Sequence, residues 1–366
     1  MLTPILSRRR QKRLLNLMER RKLDAAIIGG PHHVYYFTAH WTLWQHFSAF
    51  ILFADGRSLL IAANAPNKAV AADEVRGYPA NTVSTLRPDQ PQIIGGMITD
   101  ELRARQVHTI GIDASVVTSQ VALNFDGPRQ PIDEDLFQMR RVKDADELDL
   151  MLRAIDCCRA MYERAREIME PGVPELRVFG ELHAAAVMAA GEPLSALLGN
   201  DYACGVLGGA ARGDHLAEDG ELYILDLGPV VRGYFSDNAR TFAVNRNPTD
   251  AQYQAHEHVM GCIATVEANA KAGVPCRHLW QGVNEYLKSV GRPDMTHHLG
   301  HGVGLAPHEV PHLNPEWDDT LMEGEIFTAE PGIYGEELAG GIRIENQYRV
   351  TASGVVKLTD FPVGLE

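Results

Sequence analysis

The segment HHLGHGVGLAPHEVPH, residues 297–312, concentrates side chains that can bind metals or move protons. Five of the chain's fifteen histidines fall in these sixteen positions, together with three glycines and two prolines. An imidazole titrates near neutral pH and is a common metal ligand. Chance, a pH-sensitive loop or a weakly metal-binding surface would also produce such a segment. A metal or catalytic site needs further oxygen or sulfur ligands elsewhere in the chain.

Carboxylates at the ends of apolar runs are candidates for these oxygen ligands. Asp226 ends the run LYILD, and Asp237 follows eleven residues later in FSDNARTF. Glu330 in FTAEPGIY lies 104 residues after Asp226, and Glu345 in GGIRIEN lies 108 residues after Asp237. A hairpin would bring Asp226 beside Asp237, and we expect Glu345 to lie within an alternating strand. Burying such carboxylates is costly unless a cation or hydrogen bonds compensate them.

Four carboxylates at one centre would repel one another by several kcal/mol at low dielectric unless cations lay between them. With His301, which stands between two glycines, the set becomes Asp, Asp, His, Glu and Glu. Oxygen-rich ligation with one imidazole suits Mn²⁺, Co²⁺, Fe²⁺ or Zn²⁺ better than a soft, thiol-preferring metal. Five such side chains, two of them bridging, can hold two ions about 3.5 Å apart and lower the pKa of a shared water.

An internal repeat accounts for the doubled carboxylates. PGVPELRVFGELHAAAVMAAG, residues 171–191, aligns with AGVPCRHLWQGVNEYLKSVG, residues 272–291. In both, Gly-Val-Pro precedes an amphipathic helix that ends at glycine, and a longer helix comes before. Capping boxes predict where the longer helices begin, at Asp144 and at Thr249. The alignment indicates two half-domains of about one hundred residues each. Chance similarity of helix-ending residues is the alternative.

The region before this repeat alternates between helix and strand signals. An amphipathic helix is expected at the N-terminus, and then a strand in AAIIGG (25–30) and further extended chain in VYYFTAHW (34–41). Two apolar runs around Asp55-Gly56 predict a hairpin. A helix near residues 98–106 and a strand in HTIGIDA (108–114) follow. The sequence therefore predicts an α/β (α+β) fold, with domains at residues 1–137 and 138–366.

Composition narrows the class of protein. The chain of 366 residues has 34 basic and 48 acidic side chains, a formal charge of −14, which gives no support for nucleic-acid binding. Five cysteines without CxxC spacing argue against a disulfide framework and fit a reducing cytoplasm. No apolar run is long enough to span a membrane, and the basic N-terminus lacks the apolar stretch of a signal peptide.

The motifs DLGPVVRGYFSDNARTF, HHLGHGVGLAPHEVP, FTAEPGIY and GGIRIEN together resemble metallopeptidase family M24. This is the creatinase/methionine aminopeptidase, or pita-bread, superfamily, and within it the chain resembles Xaa-Pro dipeptidases (prolidases) and aminopeptidase P. The resemblance implies an N-terminal creatinase-like α/β domain followed by a pseudo-twofold pita-bread catalytic domain. A homodimer acting on a small peptide or other small molecule is also implied.

For the site, the resemblance implies a dinuclear metal centre. Asp237 and Glu345 would bridge the two ions, Asp226 would chelate one of them, and His301 and Glu330 would complete the other. The two divalent ions are expected to be Mn²⁺, with Co²⁺, Zn²⁺ or Fe²⁺ as alternatives. A hydroxide bridging the ions would attack the carbonyl of the bond before proline. The resemblance therefore implies a metal-dependent hydrolase.

Four residues near this centre match family positions with catalytic roles. Glu330 would also shuttle a proton, His308 would stabilise the oxyanion, His297 would line the substrate pocket, and Arg343 would orient the ligands. We expect the remaining histidines of the segment to have no role in the site, namely His298 and His312.

One position departs from the family pattern. Family peptidases carry a histidine about seventeen residues before the first metal-binding aspartate, and here Gly209 occupies that position. This leaves the metal ligands intact but puts ordinary Xaa-Pro peptidase activity in question. The alternatives are a family member acting on a small non-peptide substrate, as a C–N hydrolase or lyase, and a binding protein without catalysis.

Overall fold

The chain divides into two units, Met1–Arg140 and Arg141–Glu366. The computed structural model describes residues 1–42, 45–64, 69–196 and 201–366. Within these ranges, none of the helices has both the length and the apolar character needed to traverse a bilayer. All five cysteines are described, and each is a free, buried thiol.

The first unit is built on a six-stranded sheet. Its elements are α1 (Pro4–Arg21), β1 (Ala25–Ile28), α2 (Pro31–Thr38), β2 (Ser48–Phe53), β3 (Ser58–Ala63), β4 (Glu74–Tyr78), β5 (Asn81–Thr82), β6 (Thr85–Leu86), α3 (Gln90–Ala104), β7 (Ile110–Ile112), α4 (Val116–Asn124), β8 (Arg129–Pro131) and α5 (Asp133–Arg140). The strand order is β4-β3-β2-β1-β7-β8. The β1–β2 and β2–β3 pairs are antiparallel, and the other pairs are parallel.

The hairpin predicted around Asp55-Gly56 is confirmed, but the prediction of an extended segment after β1 is wrong. Gly56 has φ +85° between β2 and β3, as a tight turn requires. Residues predicted to be extended form most of α2 instead. Pro31 at the first helical position favours a helix start, and the backbone N–H groups of Gly29 and Gly30 donate to the Asp113 carboxylate. Burial of α2 overrides the strand preference of its aromatic residues.

The second unit carries the repeat. Its elements are α6 (Ala145–Ile168), α7 (Glu175–Ala190), β9 (Leu222–Leu227), β10 (Val230–Val231), β11 (Tyr234–Phe235), β12 (Asn238–Ala243), α8 (Asp250–Asn269), α9 (Cys276–Ser289), β13 (Gly300–Gly302), β14 (Glu309–Leu313), β15 (Ile326–Ala329), β16 (Gly332–Gly335), a 3₁₀ turn (Glu336–Leu338), β17 (Gly340–Arg343), β18 (Asn346–Val350) and β19 (Val355–Lys357). A five-stranded sheet has the order β14-β13-β15-β18-β19, and β9 pairs with β12, β10 with β11 and β16 with β17.

The two Gly-Val-Pro segments adopt the same backbone arrangement. Gly172 and Gly273 both have φ +87°. The Gly172 N–H donates to the Ala217 carbonyl at 2.7 Å, and the Gly273 N–H donates to the Leu321 carbonyl at 2.8 Å. Because these contacts recur at matching positions, the structure supports a duplication rather than chance similarity.

The helix starts predicted from capping boxes are also confirmed. Asp144 and Glu147 form a reciprocal box at the start of α6, and Thr249 and Gln252 form another at the start of α8. Each box satisfies two backbone N–H groups that a helix leaves unpaired. Each half therefore contributes a long helix, a shorter helix and an antiparallel strand pair.

The core beneath the second half holds its strands in place. It is formed by Val259, Cys262, Val266, Leu279, Val283, Leu287, Phe327, Ile342, Ile344 and Tyr348, which come from α8, α9 and the strands packed against them. Full burial of such a side chain contributes about 1.5–3 kcal/mol. These apolar contacts hold the strands of the second half in place, including the strand ends that carry polar side chains.

Candidate metal centre

The four carboxylates lie at matching ends of two antiparallel strand pairs. Asp226 is the penultimate residue of β9, and Asp237 immediately precedes β12, the partner of β9. Glu330 immediately follows β15, and Glu345 immediately precedes β18, the partner of β15. Antiparallel pairing brings the end of one strand beside the beginning of the next. The duplication thus brings two pairs of carboxylates to corresponding positions.

Glu345 lies between two strands, whereas the sequence predicted that it lies within one. β17 ends and β18 begins on either side of it, and these strands belong to different sheets. The Glu345 N–H donates to the Ala239 carbonyl as the chain crosses between them. The predicted alternation of sides still holds, because Ile342 and Ile344 are buried in the apolar core.

The backbone of Glu345 is held from two directions. Its carbonyl oxygen accepts hydrogen bonds at 2.6 Å from Asn238 Nδ2 and from the Arg240 guanidinium. Arg240 is buried, and the Tyr162 hydroxyl donates to the Asn238 carbonyl. These contacts fix Glu345 from the other half of the repeat.

The glycines on either side of His301 let β13 pack closely against its neighbours. β13 lies between β14 and β15 in the sheet. A Cβ atom on Gly300 would overlap the Thr328 carbonyl oxygen, and a Cβ atom on Gly302 would overlap the Val310 carbonyl oxygen. Only glycine permits this close approach of backbones.

His301 presents a nitrogen lone pair to the carboxylates. Its Nδ1–H donates to the Gly302 carbonyl at 3.0 Å, which leaves Nε2 as the ring nitrogen that can bind a cation. This Nε2 lies 3.4 Å from Glu330 Oε1 and 3.8 Å from Asp237 Oδ2. Ligand atoms of Asp237, His301 and Glu345 lie within 4.8 Å of one another. A backbone partner on the second ring nitrogen is typical of metal-binding histidines.

The electrostatics of this cluster favour added positive charge. Burial raises the pKa of Asp237, and the nearby charges of Asp226 and Glu330 raise it further. Burial and the charges of these three carboxylates also raise the pKa of Glu345. Among the described residues, neither carboxylate oxygen of Glu345 has a hydrogen-bond partner, although the residue is 1% exposed. Divalent cations would offset both the repulsion between the carboxylates and the cost of burying the Glu345 oxygens without partners, so the donor set fits such ions.

Glu330 differs because two imidazoles face it. Burial opposes its ionisation, but the hydrogen bond from His298 holds the pKa of Glu330 below its ordinary value. His298 Nε2 donates to Glu330 Oε1 at 2.9 Å, so the prediction that His298 has no role in the site was wrong. His312 instead pairs with Asp319 at 2.9 Å. The sequence offered no signal to separate these two histidines.

His308 lies against the ring of His301. Their ring centroids are 3.7 Å apart, and their planes differ by 12°. Burial of the ring lowers the pKa of His308 to about 4. A neutral His308 at physiological pH retains one N–H to donate and remains exposed to an incoming molecule.

Arg343 joins two aspartates to Tyr334 and His297 by hydrogen bonds. The same guanidinium nitrogen donates to Asp226 Oδ2 at 2.8 Å and to Asp201 Oδ2 at 2.6 Å. Its Nε donates to the Tyr334 hydroxyl at 2.9 Å, and that hydroxyl donates to His297 Nε2 at 3.0 Å. Asp201 was missed by sequence reasoning because nothing in its surroundings resembles a motif.

The segment around Gly209 is held against Asp201. Gly208 and Gly209 have φ values of +142° and +134°, which strongly favour glycine. The Gly209 N–H donates to Asp201 Oδ1 at 2.6 Å, and a Cβ atom on Gly208 would collide with the same carboxylate. A close glycine turn therefore occupies the position at which the family resemblance led us to expect a histidine.

Similarity to known proteins agrees with this geometry. The metallopeptidase family M24 model matches residues 149–352, and the creatinase/prolidase N-terminal domain model matches residues 10–140. The Xaa-Pro dipeptidase of Pyrococcus furiosus is 26% identical over 362 residues, covering 96% of this chain and 97% of that protein. The putative dipeptidase YkvY of Bacillus subtilis is 31% identical over 242 residues, 64% of each chain.

The solved structure of prolidase from Pyrococcus furiosus has the same fold. It matches with a TM-score of 0.79 at 24% identity and covers 95% of this chain and 99% of that one. The predicted arrangement of a creatinase-like N-terminal domain and a pita-bread domain is confirmed. The chain belongs to metallopeptidase family M24.

Proposed function

We propose that the chain is a dinuclear metallopeptidase of the Xaa-Pro dipeptidase or aminopeptidase P type, which cleaves the bond before proline. The observation that carries this proposal is a buried cluster of four carboxylates around His301, in which neither carboxylate oxygen of Glu345 has a hydrogen-bond partner among the described residues. The names of the relatives, Xaa-Pro dipeptidase and putative dipeptidase, support the same class of substrate.

The metal ligands in this proposal are Asp226, Asp237, His301, Glu330 and Glu345. As the resemblance to family M24 implies, Asp237 and Glu345 would hold both ions, and the deep burial and raised pKa values of their carboxylates fit a place between cations. Two divalent cations, with Mn²⁺ as our first expectation, would supply Lewis acidity and an activated water. Oxygen-rich ligation supports Mn²⁺ over softer ions.

The remaining side chains handle the substrate. The exposed His308 ring donates its N–H to the oxygen that becomes negative as the carbonyl is attacked. Glu330 carries a proton to the leaving proline nitrogen, and its contacts with two imidazoles hold its carboxylate in one orientation. His297 and Tyr334 form part of the pocket wall, and Arg343 keeps Asp226 oriented.

The second candidate is hydrolysis or elimination on a small non-peptide substrate. The observation that favours it is the turn at Gly208 and Gly209, which leaves glycine where relatives carry a histidine. The same metal ligands would serve this chemistry. A homodimer is also proposed, on the resemblance alone, and sedimentation would test it.

A substrate panel decides between these candidates. The Mn²⁺-loaded protein should be assayed on Xaa-Pro dipeptides, longer Xaa-Pro peptides, matched Xaa-Ala peptides and small amidine or betaine-like compounds. We expect cleavage of Xaa-Pro substrates and little cleavage of Xaa-Ala controls. Turnover of the non-peptide compounds alone would reject the peptidase and support the second candidate.

A further inference from the structure

A cluster of three imidazoles lies on the more open side of the candidate metal centre. Ligand nitrogens of His298, His301 and His308 lie within 4.8 Å of one another. The ring centroids of His298 lie 5.5 Å from His301 and 5.6 Å from His308. The proposed function uses only His301 of these as a metal ligand.

The other two rings are accessible, in contrast to the carboxylates. The His298 side chain is 35% exposed, and His308 is exposed, whereas Asp237 and Glu345 are buried. His298 Nε2 lies 2.9 Å from Glu330 Oε1. His298 therefore lies close both to the Glu330 carboxylate and to the His308 ring.

We propose that His298, His308 and Glu330 form a third, accessory cation site that prefers Zn²⁺ to Mn²⁺. Two imidazoles and one carboxylate oxygen make up a familiar zinc ligand set, with the fourth position left for water. Mn²⁺ is better served by more oxygen ligands. The inference rests on the proposed function, because Glu330 also belongs to the dinuclear centre there.

Occupancy of this site would inhibit the enzyme. An ion held there would engage the His308 ring that otherwise donates to the oxyanion. It would also restrain the Glu330 oxygen that otherwise carries the proton. Excess Zn²⁺ is thus expected to inhibit an enzyme whose two inner ions are already bound.

The same segment offers a matched control. His312 donates to Asp319 at 2.9 Å and packs against Trp317, so it lies outside the cluster. His298→Gln removes the ligating imidazole but keeps an N–H group able to donate to Glu330. His312→Gln makes the same chemical change where no accessory ion is proposed.

The test counts ions directly. Wild-type protein and both variants should be dialysed against increasing free Zn²⁺, followed by elemental analysis. We expect three ions per chain in the wild type and His312→Gln, and two in His298→Gln. A Co²⁺ titration provides a second measurement, since its absorption spectrum reports the added imidazole ligands. The Zn²⁺ concentration for half-inhibition of each Mn²⁺-loaded protein should rise by about tenfold or more in His298→Gln alone.

Other outcomes separate the two proposals. Two ions in all three proteins, or three ions in His298→Gln, would overturn the accessory site and leave the dinuclear centre standing. Fewer than two ions in the wild type would overturn the proposed function itself. Fewer than two in His298→Gln alone would assign His298 to the inner centre and reject the third site.

Discussion

Asp201 and Arg343, 142 residues apart, are joined by a hydrogen bond of 2.6 Å whose donor nitrogen also donates to Asp226. The two aspartates are further joined by backbone hydrogen bonds in both directions, between the N–H of each and the carbonyl of the other. Arg343 therefore holds a metal-ligand candidate in an orientation that Asp201 helps to define.

Replacing Asp201 should weaken the centre without removing a ligand. In Asp201→Ala, we expect metal affinity or kcat to fall by about 10–100-fold, as is typical when a partner that orients a ligand is lost. Asp201→Asn retains an acceptor for Arg343 and should recover part of the loss. Metal titration and steady-state kinetics measure both. Equal effects of the two substitutions would argue against an orienting hydrogen bond.

Replacing Asp237 should abolish both metal binding and turnover. Asp237 is buried among Asp226, Glu330 and Glu345, and water cannot replace a bridging carboxylate without separating the ions. Elemental analysis of purified Asp237→Ala provides the measurement, with circular dichroism to verify folding. Two ions retained per folded chain would contradict the bridging role.

Replacing His308 should affect catalysis but not metal content. The ring stacks on His301 and is neutral at physiological pH, so its proposed contribution is one N–H donated to the oxyanion. We expect His308→Ala to lower kcat by about 10²-fold or more. His312→Ala, in the same segment, is the control. An unchanged kcat in His308→Ala would reduce His308 to a structural loop residue.

A buried carboxylate should make stability depend on pH. Glu175 is fully buried, which opposes ionisation, but Arg212 and the backbone amides of Arg212 and Cys204 hold the pKa of Glu175 below its ordinary value of 4.5. The ionised group therefore stabilises the fold above that pH, and this contribution is lost as pH falls through the folded-state pKa. Glu175→Gln should lower the free energy of unfolding by about 3 kcal/mol near pH 7.

The difference between wild type and Glu175→Gln should narrow below pH 4.5, because a protonated Glu175 resembles glutamine. Urea denaturation followed by circular dichroism at several pH values measures it. The control is Glu181→Gln, also on α7. Glu181 forms a partly exposed ion pair with Arg164 of α6, so this substitution should have a much smaller effect. A constant difference across the pH range would contradict the assignment to Glu175.

Local patterns in the sequence were enough to predict residues that recur in both copies of the repeat and residues that belong to short motifs. The carboxylate spacing and the capping boxes of α6 and α8 led to the ligand candidates and the helix starts. Residues defined by distant contacts escaped detection. Asp201 acts through Arg343, and His298 differs from His312 only in what the folded chain brings near it.

The prediction of extended chain in place of α2 was wrong for a related reason. Aromatic and β-branched residues at 34–38 favour a strand when considered locally. In the fold, the two glycines before α2 donate to the carboxylate of Asp113, more than eighty residues away, which allows the chain to turn into a helix. Such long-range partners are absent from any short window of sequence.

The duplicated strand pairs have a consequence for substrate direction. Each copy contributes two carboxylates, so a pair of ions held between them would by itself be nearly symmetric and would not favour either orientation of a peptide. The imidazoles of residues 297–308 come from the second copy alone, whereas in the first copy a glycine turn at Gly208 and Gly209 precedes β9. In the proposed peptidase, this difference between the two copies would let the enzyme distinguish the two ends of a bound peptide, because imidazoles would face it from the second copy only.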